Sequence, residues 1–131
     1  MEFVNFKKAV YKIASQLNYE VQCFEAAGVT PNFHVAKISL PENEIYILCS
    51  IDGNWAYSNH FNTNDCHLNF IECDPFSYLL NSYLNISPLS VDQLNLPFNK
   101  QSTIDLSNVS ESDISYWSPK TLGDTLFNWW D

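Results

Sequence analysis

Arginine is absent from this chain of 131 residues, and only six lysines oppose fifteen aspartates and glutamates, which gives a net charge of −9. Proteins that bind nucleic acid need a basic surface that neutralises phosphates. A negative surface is also repelled by anionic membranes. The composition therefore excludes most nucleic-acid-binding proteins, and we expect neither nucleic acid nor a membrane among the partners.

Glycine and long apolar runs are scarce as well. Three glycines are too few to build a glycine-rich phosphate-binding loop. The longest unbroken apolar run covers Ile45 to Cys49, whereas a membrane-spanning helix needs about 20 apolar residues. Lysines interrupt the first eighteen residues, which excludes a signal peptide. We therefore expect a cytoplasmic protein.

Four cysteines are present, and a cytoplasmic location favours reduced thiols over disulfides. Cys23, Cys49 and Cys73 lie in apolar strand contexts, where a thiol behaves as a small hydrophobic side chain. Cys66 lies in a polar stretch of the sequence. No signature of a catalytic cysteine surrounds any of them.

A hydrophobic content of 46% with 16% charged residues is typical of a globular protein, and the length fits a single domain over residues 1–131. Apolar residues spaced by three and four predict a helix over about 3–17. Alternating apolar residues predict strands at about 19–25, 32–40, 44–51, 54–59 and 67–73. Helices are predicted at 76–84, at 90–94 and from Ser118-Pro119 to the end. The fold class is α+β: an antiparallel meander of about five strands, with the N-terminal and C-terminal helices packed on one side.

Metal-capable side chains crowd residues 60–74, namely His60, Asp65, Cys66, His67, Glu72, Cys73 and Asp74. Zinc sites usually pair two cysteines and two histidines at short spacings, and this segment has neither pair. Cys66 and His67 are adjacent, so a strand would direct them to opposite faces. We expect neither a metal nor another cofactor here. A small metal-binding or thiol enzyme domain using His60, Cys66, His67 and Cys73 is an alternative.

Paired carboxylates occur at Glu42/Glu44, Glu72/Asp74 and Glu111/Asp113. General acid–base catalysis needs carboxylates that face one another across a pocket. These pairs fall at turns or ends of elements, where solvated side chains are the rule. Signatures of serine hydrolases, kinases and metalloproteases are absent. We therefore predict that the protein is not an enzyme.

The charge instead favours a basic protein as partner, because an acidic surface accelerates encounter with a basic one. Acids interspersed with tyrosine and tryptophan are suited to cover a phosphate-binding cleft. Acids in irregular segments are rarely buried, which predicts contacts from the second half of the chain and from the hairpin tip at Asp52-Gly53. The candidate contacts are Asp52, Trp55, Asp105, Glu111, Asp113 and Tyr116.

The C-terminal run over residues 116–131 carries the pattern W-x-P-x-T-x-G-x-x-x-F-N-x-W-D. The matching positions are Trp117, Pro119, Thr121, Gly123, Phe127, Asn128, Trp130 and Asp131. This tail resembles that of small acidic bacterial immunity proteins of toxin–immunity systems. The resemblance implies a non-enzymatic inhibitor that binds a cognate toxin. We interpret the tail itself as a structural element, a capped helix whose Phe127 and Trp130 dock on the sheet.

The sequence thus predicts an immunity protein that neutralises a cognate toxin, expected to be a basic nuclease, by occluding its active or substrate-binding site. A phage or plasmid inhibitor that mimics nucleic acid is an alternative, since it would share the negative charge. Such a mimic would have a broader range of targets.

Overall fold

The computed structural model describes residues 1–28, 30–62, 67–98, 112, 116–117 and 119–129. An antiparallel sheet of five strands in chain order is flanked by helices, which confirms the predicted α+β meander. In chain order the elements are α1 (Phe3–Leu17), β1 (Glu20–Glu25), β2 (Phe33–Ser39), β3 (Glu44–Ser50), β4 (Trp55–Ser58), β5 (Phe70–Ile71), α2 (Asp74–Leu84), α3 (Val91–Leu94) and α4 (Leu122–Leu126). None of the helices in these ranges is long and apolar enough to cross a membrane.

Helix α1 follows the spacing of its apolar residues. Phe6, Val10 and Ile13 are fully buried on one side of the helix, while lysines occupy the outer side. The helix ends at Asn18, whose φ of 58° is the left-handed conformation that asparagine tolerates better than most residues. The amphipathic pattern therefore predicted both the helix and its buried face.

One side of the sheet, which we call the first face, is covered by α1 and α2. Ala36, Ile47 and Tyr57 are direct partners on adjacent strands and share this face. The ring of Phe76 from α2 packs edge-on against Tyr57, with centroids 5.8 Å apart. Burial of these side chains ties the two helices to the sheet, since apolar area removed from water stabilises the fold by about 25 cal/mol per Å².

The opposite side, the second face, is covered by the C-terminal part of the chain. Val35, Leu48 and Ala56 are direct partners on β2, β3 and β4 and point to this side. Four buried apolar residues pack over it: Leu94, Leu122, Leu126 and Phe127. Helices therefore lie on both faces, and the prediction of helices on one side is wrong. The central strands are apolar on both sides of the pleat, so both sides need a cover.

Helix α4 is shorter than predicted. It begins after Thr121, whose hydroxyl accepts the Asp124 N–H at 3.1 Å while the Asp124 carboxylate accepts the Thr121 N–H at 3.3 Å. Before it the chain is extended, because Phe98 N–H donates to the Lys120 carbonyl and Leu122 N–H to the Leu96 carbonyl. The predicted start at Ser118-Pro119 and end at the terminus are both wrong. Thr121 forms an antiparallel bridge with Pro97, so this helix begins only after the Thr121 capping box.

Candidate functional site

The negative charge of the protein lies on its surface. Every aspartate and glutamate in the described part of the chain has an exposed side chain: Glu2, Glu20, Glu25, Glu42, Glu44, Asp52, Glu72, Asp74, Asp92 and Asp124. Lys37 and Glu44 form an ion pair, with Nζ and Oε2 3.0 Å apart, and both side chains are exposed to solvent. Water and salt screen exposed pairs of this kind, so they contribute little to stability. The acids therefore give the protein a negative surface, on which Glu72 also accepts the Val91 N–H at 2.7 Å and Asp124 caps α4.

Two of the predicted partner contacts are exposed in the structure. Asp52 lies in the turn between β3 and β4, where Gly53 adopts a φ of 89° and donates its N–H to the Ser50 carbonyl at 2.9 Å. Tyr116 has 78% of its surface exposed. Asp105, Glu111 and Asp113 lie outside the described residues, so their predicted role stays a prediction.

Trp55 is not exposed at the hairpin tip, and that expectation is wrong. Its side chain is 1% exposed and packs against Phe6 of α1, with ring centroids 5.3 Å apart. It shares the first face with Tyr57, as two residues two apart on a strand must. Because Trp55 shares its face with Tyr57, and α1 covers that face, Trp55 is buried beneath α1. Its indole N–H is buried without a hydrogen-bond partner.

Tyr116 and Trp117 form an exposed aromatic pair in the tail. The two rings meet edge to face with centroids 5.0 Å apart, and Trp117 is 38% exposed. Trp117 also forms part of the wall of a cavity of about 290 Å³ between the end of the sheet and α4. Aromatic residues that combine a large apolar area with a polar atom are enriched at protein interfaces.

The walls of this cavity come from two distant parts of the sequence. Leu68 and Phe70 lie at β5, and the tail contributes Trp117, Pro119, Lys120, Gly123, Asp124, Phe127, Asn128 and Trp129. Gly123 is required there, because a Cβ at this position would lie 2.5 Å from Phe70 Cε2 and 3.0 Å from the Leu94 carbonyl oxygen. The tail pattern of the sequence therefore folds around β5 and forms the cavity.

The aromatic wall is fixed by further ring contacts. Phe127 is 2% exposed and packs edge-on against Phe33, with centroids 5.7 Å apart. Trp129 packs at 5.2 Å on Phe33 and stacks at 6.2 Å on Phe61. Lys120 and Asp124 are exposed and place opposite charges at the edge of the cavity. The cavity is thus apolar inside and charged at its mouth.

The predicted cluster of metal-capable residues is only partly brought together. The rings of His60 and His67 lie 5.6 Å apart, whereas Cys73 is buried in the core of the first face. Asp65 and Cys66 lie in a stretch that the structure does not describe. Within the described ranges, no three side chains of histidine, cysteine, aspartate or glutamate are grouped so as to hold a metal ion.

The third histidine, His34, has a structural role. It is 5% exposed, and its Nδ1 accepts the Ala27 N–H at 2.8 Å. Nε2 must then carry the proton, which it donates to the Met1 carbonyl at 2.8 Å. Both ring nitrogens are therefore used to join β2 to the residue Met1 before α1 and to the segment after β1.

Three cysteines in the described ranges are free thiols, Cys23, Cys49 and Cys73. Burial raises the pKa of Cys49 to about 12 and also raises the pKa of Cys73. Neither forms a reactive thiolate at neutral pH. Cys23 is exposed on β1, which is an edge strand of the sheet, unlike the buried Cys49 and Cys73.

Sequence reasoning identified Trp117, Gly123 and Asn128 only as members of the tail pattern. It correctly predicted that Phe127 docks on the sheet, where its ring packs against Phe33; Trp130 lies outside the described residues. It did not predict that the tail residues face β5 across a cavity, and it did not select Lys120 or Asp124. The one sequence feature that could have indicated the cavity was the surplus of aromatic residues in a segment with few apolar aliphatic residues.

Compared with known proteins, the chain matches no family model, no curated protein and no solved structure.

Proposed function

We propose that this chain is a cytoplasmic immunity protein that binds a cognate bacterial toxin, a nuclease with a basic cleft, and neutralises it by covering that cleft. The observation that carries the proposal is the exposure of every described acid in a chain with a net charge of −9, together with the exposed Tyr116–Trp117 pair. The resemblance of the tail to small acidic immunity proteins supports the same function.

The electrostatic mechanism follows from this charge. An acidic surface steers a basic partner and raises its association rate, up to about 10⁸–10⁹ M⁻¹s⁻¹ at low salt. Rim charges contribute mainly to this rate and to specificity, while buried aromatic anchors contribute most of the affinity. The acids therefore bring the toxin to the surface, and Tyr116 and Trp117 supply apolar contact area once it is bound.

The contact surface we propose consists of Asp52 and Tyr116, with Asp105, Glu111 and Asp113 assigned to it from the sequence. The β3–β4 turn is joined to the tail through Asn32, whose carbonyl accepts the Ile51 N–H and whose N–H donates to the Asn128 carbonyl. This connection supports placing the hairpin turn and the tail on one functional surface.

A tagged pull-down from the bacterium that encodes the chain tests this proposal, at low and at high salt, with mass spectrometry of the bound proteins. We expect one basic polypeptide, encoded by a neighbouring gene and lost or reduced at high salt. Recovery of no such polypeptide, or of one whose binding is insensitive to salt, overturns the proposal. Recovery of several unrelated nucleic-acid-binding proteins indicates a nucleic-acid mimic instead.

Two charge reversals locate the surface. Asp52→Lys and Glu42→Lys change the charge by the same amount at exposed positions, one in each of the turns at the two ends of β3. Asp52→Lys should weaken capture of the toxin strongly, and Glu42→Lys should weaken it only through the change in net charge. Glu111→Lys combined with Asp113→Lys should weaken capture and its salt dependence while the fold stays intact. Equal effects of Asp52→Lys and Glu42→Lys would place the toxin elsewhere.

A further inference from the structure

We propose that the cavity between Trp117 and α4 is a receptor pocket for an arginine side chain of a protein partner. The proposal rests on the proposed function only in taking that partner to be the toxin. The chemistry of the cavity walls, the charged residues Lys120 and Asp124 and the composition of the chain support it.

The walls suit a flat, delocalised cation. Aromatic rings from Phe70, Trp117, Phe127 and Trp129 contribute to a cavity of about 290 Å³. Arginine stacks its planar guanidinium on aromatic faces, and a tryptophan ring is the best partner for such a cation. Trp117, with 38% of its surface exposed, stands where an incoming side chain meets the cavity.

The mouth of the cavity supplies an oriented carboxylate. Asp124 is exposed, and its Oδ2 accepts the backbone N–H groups of Lys120 and Thr121, both at 3.3 Å. These bonds hold the carboxylate on the first turn of α4, beside the aromatic wall. A carboxylate together with an aromatic surface is the combination that a guanidinium group recognises by hydrogen bonding and stacking.

The composition of the chain indicates which protein supplies the arginine side chain. The protein contains no arginine, so neither another segment of this chain nor a second copy can supply the side chain. A different protein must therefore provide it, and the net charge of −9 attracts basic proteins. Arginine is also among the residues most enriched in the energetic centres of interfaces.

The positive charge of Lys120 repels a cation in the pocket, so its removal gives the sharpest test. It lies at the same mouth and is exposed. Removal of its charge must strengthen binding if the occupant is a cation and must weaken binding if the occupant is an anion. An uncharged apolar occupant would show no such response.

The test is a titration of the full chain, labelled with ¹⁵N, with the peptide acetyl-Gly-Arg-Gly-amide, read from the indole N–H resonances. The matched probe replaces arginine by citrulline, which has the same shape and no charge. We expect a saturable shift of the Trp117 resonance with the arginine peptide and binding weaker by about 2- to 30-fold with citrulline. Absence of a saturable shift, or equal binding of both peptides, overturns the proposal.

Variants complete the test. Lys120→Gln should tighten binding of the arginine peptide. Trp117→Ala should abolish it, which is read from the indole resonance of Trp129 in the same cavity wall. Tyr78→Ala removes another exposed ring, on α2, and should leave binding unchanged. Weaker binding by Lys120→Gln would also overturn the proposal.

If the pull-down recovers a toxin but the peptide does not bind, the pocket is wrong and the immunity function stands. If the peptide binds and no toxin is recovered, the pocket stands without the function.

Discussion

Asn32 and Asn128, 96 residues apart in the sequence, bind each other through two reciprocal hydrogen bonds. The Asn32 N–H donates to the Asn128 carbonyl at 2.9 Å, and the Asn128 N–H donates to Asn32 Oδ1 at 2.8 Å. The Asn32 amide also donates to the Leu126 carbonyl at 3.2 Å. Asn32 thus holds the tail on the sheet at the point where α4 ends.

Replacement of Asn32 by alanine should therefore destabilise the fold. The Asn128 N–H and the Leu126 carbonyl would each lose a partner in a partly buried place, which costs about 1–3 kcal/mol of the free energy of unfolding. Urea denaturation measures this loss. Asn69→Ala is the matched control, because its amide donates to Asn59 Oδ1 in an exposed place and its loss should cost less than about 0.5 kcal/mol. Equal losses in the two variants would show that Asn32 does not hold the tail.

Gly123→Ala should also destabilise the protein, although alanine is the better helix former. The added Cβ would meet Phe70 Cε2 at 2.5 Å and the Leu94 carbonyl oxygen at 3.0 Å. Overpacking of this kind costs about 1–3 kcal/mol. At Gly28 the nearest atom to an added Cβ is the Thr30 carbonyl oxygen at 4.0 Å, so Gly28→Ala should be neutral or slightly stabilising. Thermal denaturation of both variants tests the difference, and a stable Gly123→Ala protein would contradict it.

The elements that depend on local periodicity could be predicted from the sequence. The alternation in β2 and β3 correctly placed Phe33 and Val35 on one face and Ala36 and Ile38 on the other. Side-chain alternation follows from strand geometry alone, so no knowledge of distant residues was needed. Serine before a short helical stretch is a typical N-cap, which predicted the cap at Ser90. Its hydroxyl accepts the Gln93 N–H at 3.1 Å.

The features that depend on distant contacts could not be predicted. The cavity exists because Phe70 meets Gly123, and the tail is fixed by Asn32, which lies in the loop before β2. Strand β5 pairs over only two residues, although the alternation predicted a longer strand. Pairing length is set by the neighbouring strand, and β4 is itself only four residues long. Local sequence patterns carry no information about contacts between distant residues or about the length of strand pairing.

The cysteines should differ in their reactivity. Cys23 is exposed, whereas Cys49 is buried and its pKa is raised to about 12 by that burial. Treatment of the native protein with iodoacetamide near pH 8, followed by mass spectrometry of peptides, should show modification of Cys23 and none of Cys49. Unfolding in urea should then expose Cys49 to the reagent. Modification of Cys49 at the rate of Cys23 in the native protein would contradict the buried position.

The same burial predicts a loss of stability at alkaline pH. In the unfolded chain the Cys49 thiol ionises at its ordinary pKa near 9, but in the fold it keeps its proton up to a pKa of about 12. The stabilisation is therefore complete below pH 9 and is lost as the pH rises, by up to about 1.4 kcal/mol per pH unit. Burial raises the pKa of Tyr57 as well and adds to the loss above pH 10.

Urea denaturation between about pH 8 and about pH 11 measures this effect. Cys49→Ala should flatten the decline, even though it lowers stability at neutral pH by leaving a small cavity. Cys23→Ala, at an exposed position, should keep the slope of the unaltered protein. A slope that is the same in all three proteins would assign the decline to other groups.

A survival assay measures directly whether this chain neutralises a toxin. The basic polypeptide recovered by pull-down is expressed from an inducible promoter in a sensitive bacterium, alone or with this chain, and viable colonies are counted. We expect loss of viability with the polypeptide alone, full rescue by this chain and weaker rescue by Asp52→Lys than by Glu42→Lys. A polypeptide that is harmless alone, or one whose toxicity is unchanged by this chain, would show that this chain is not an immunity protein.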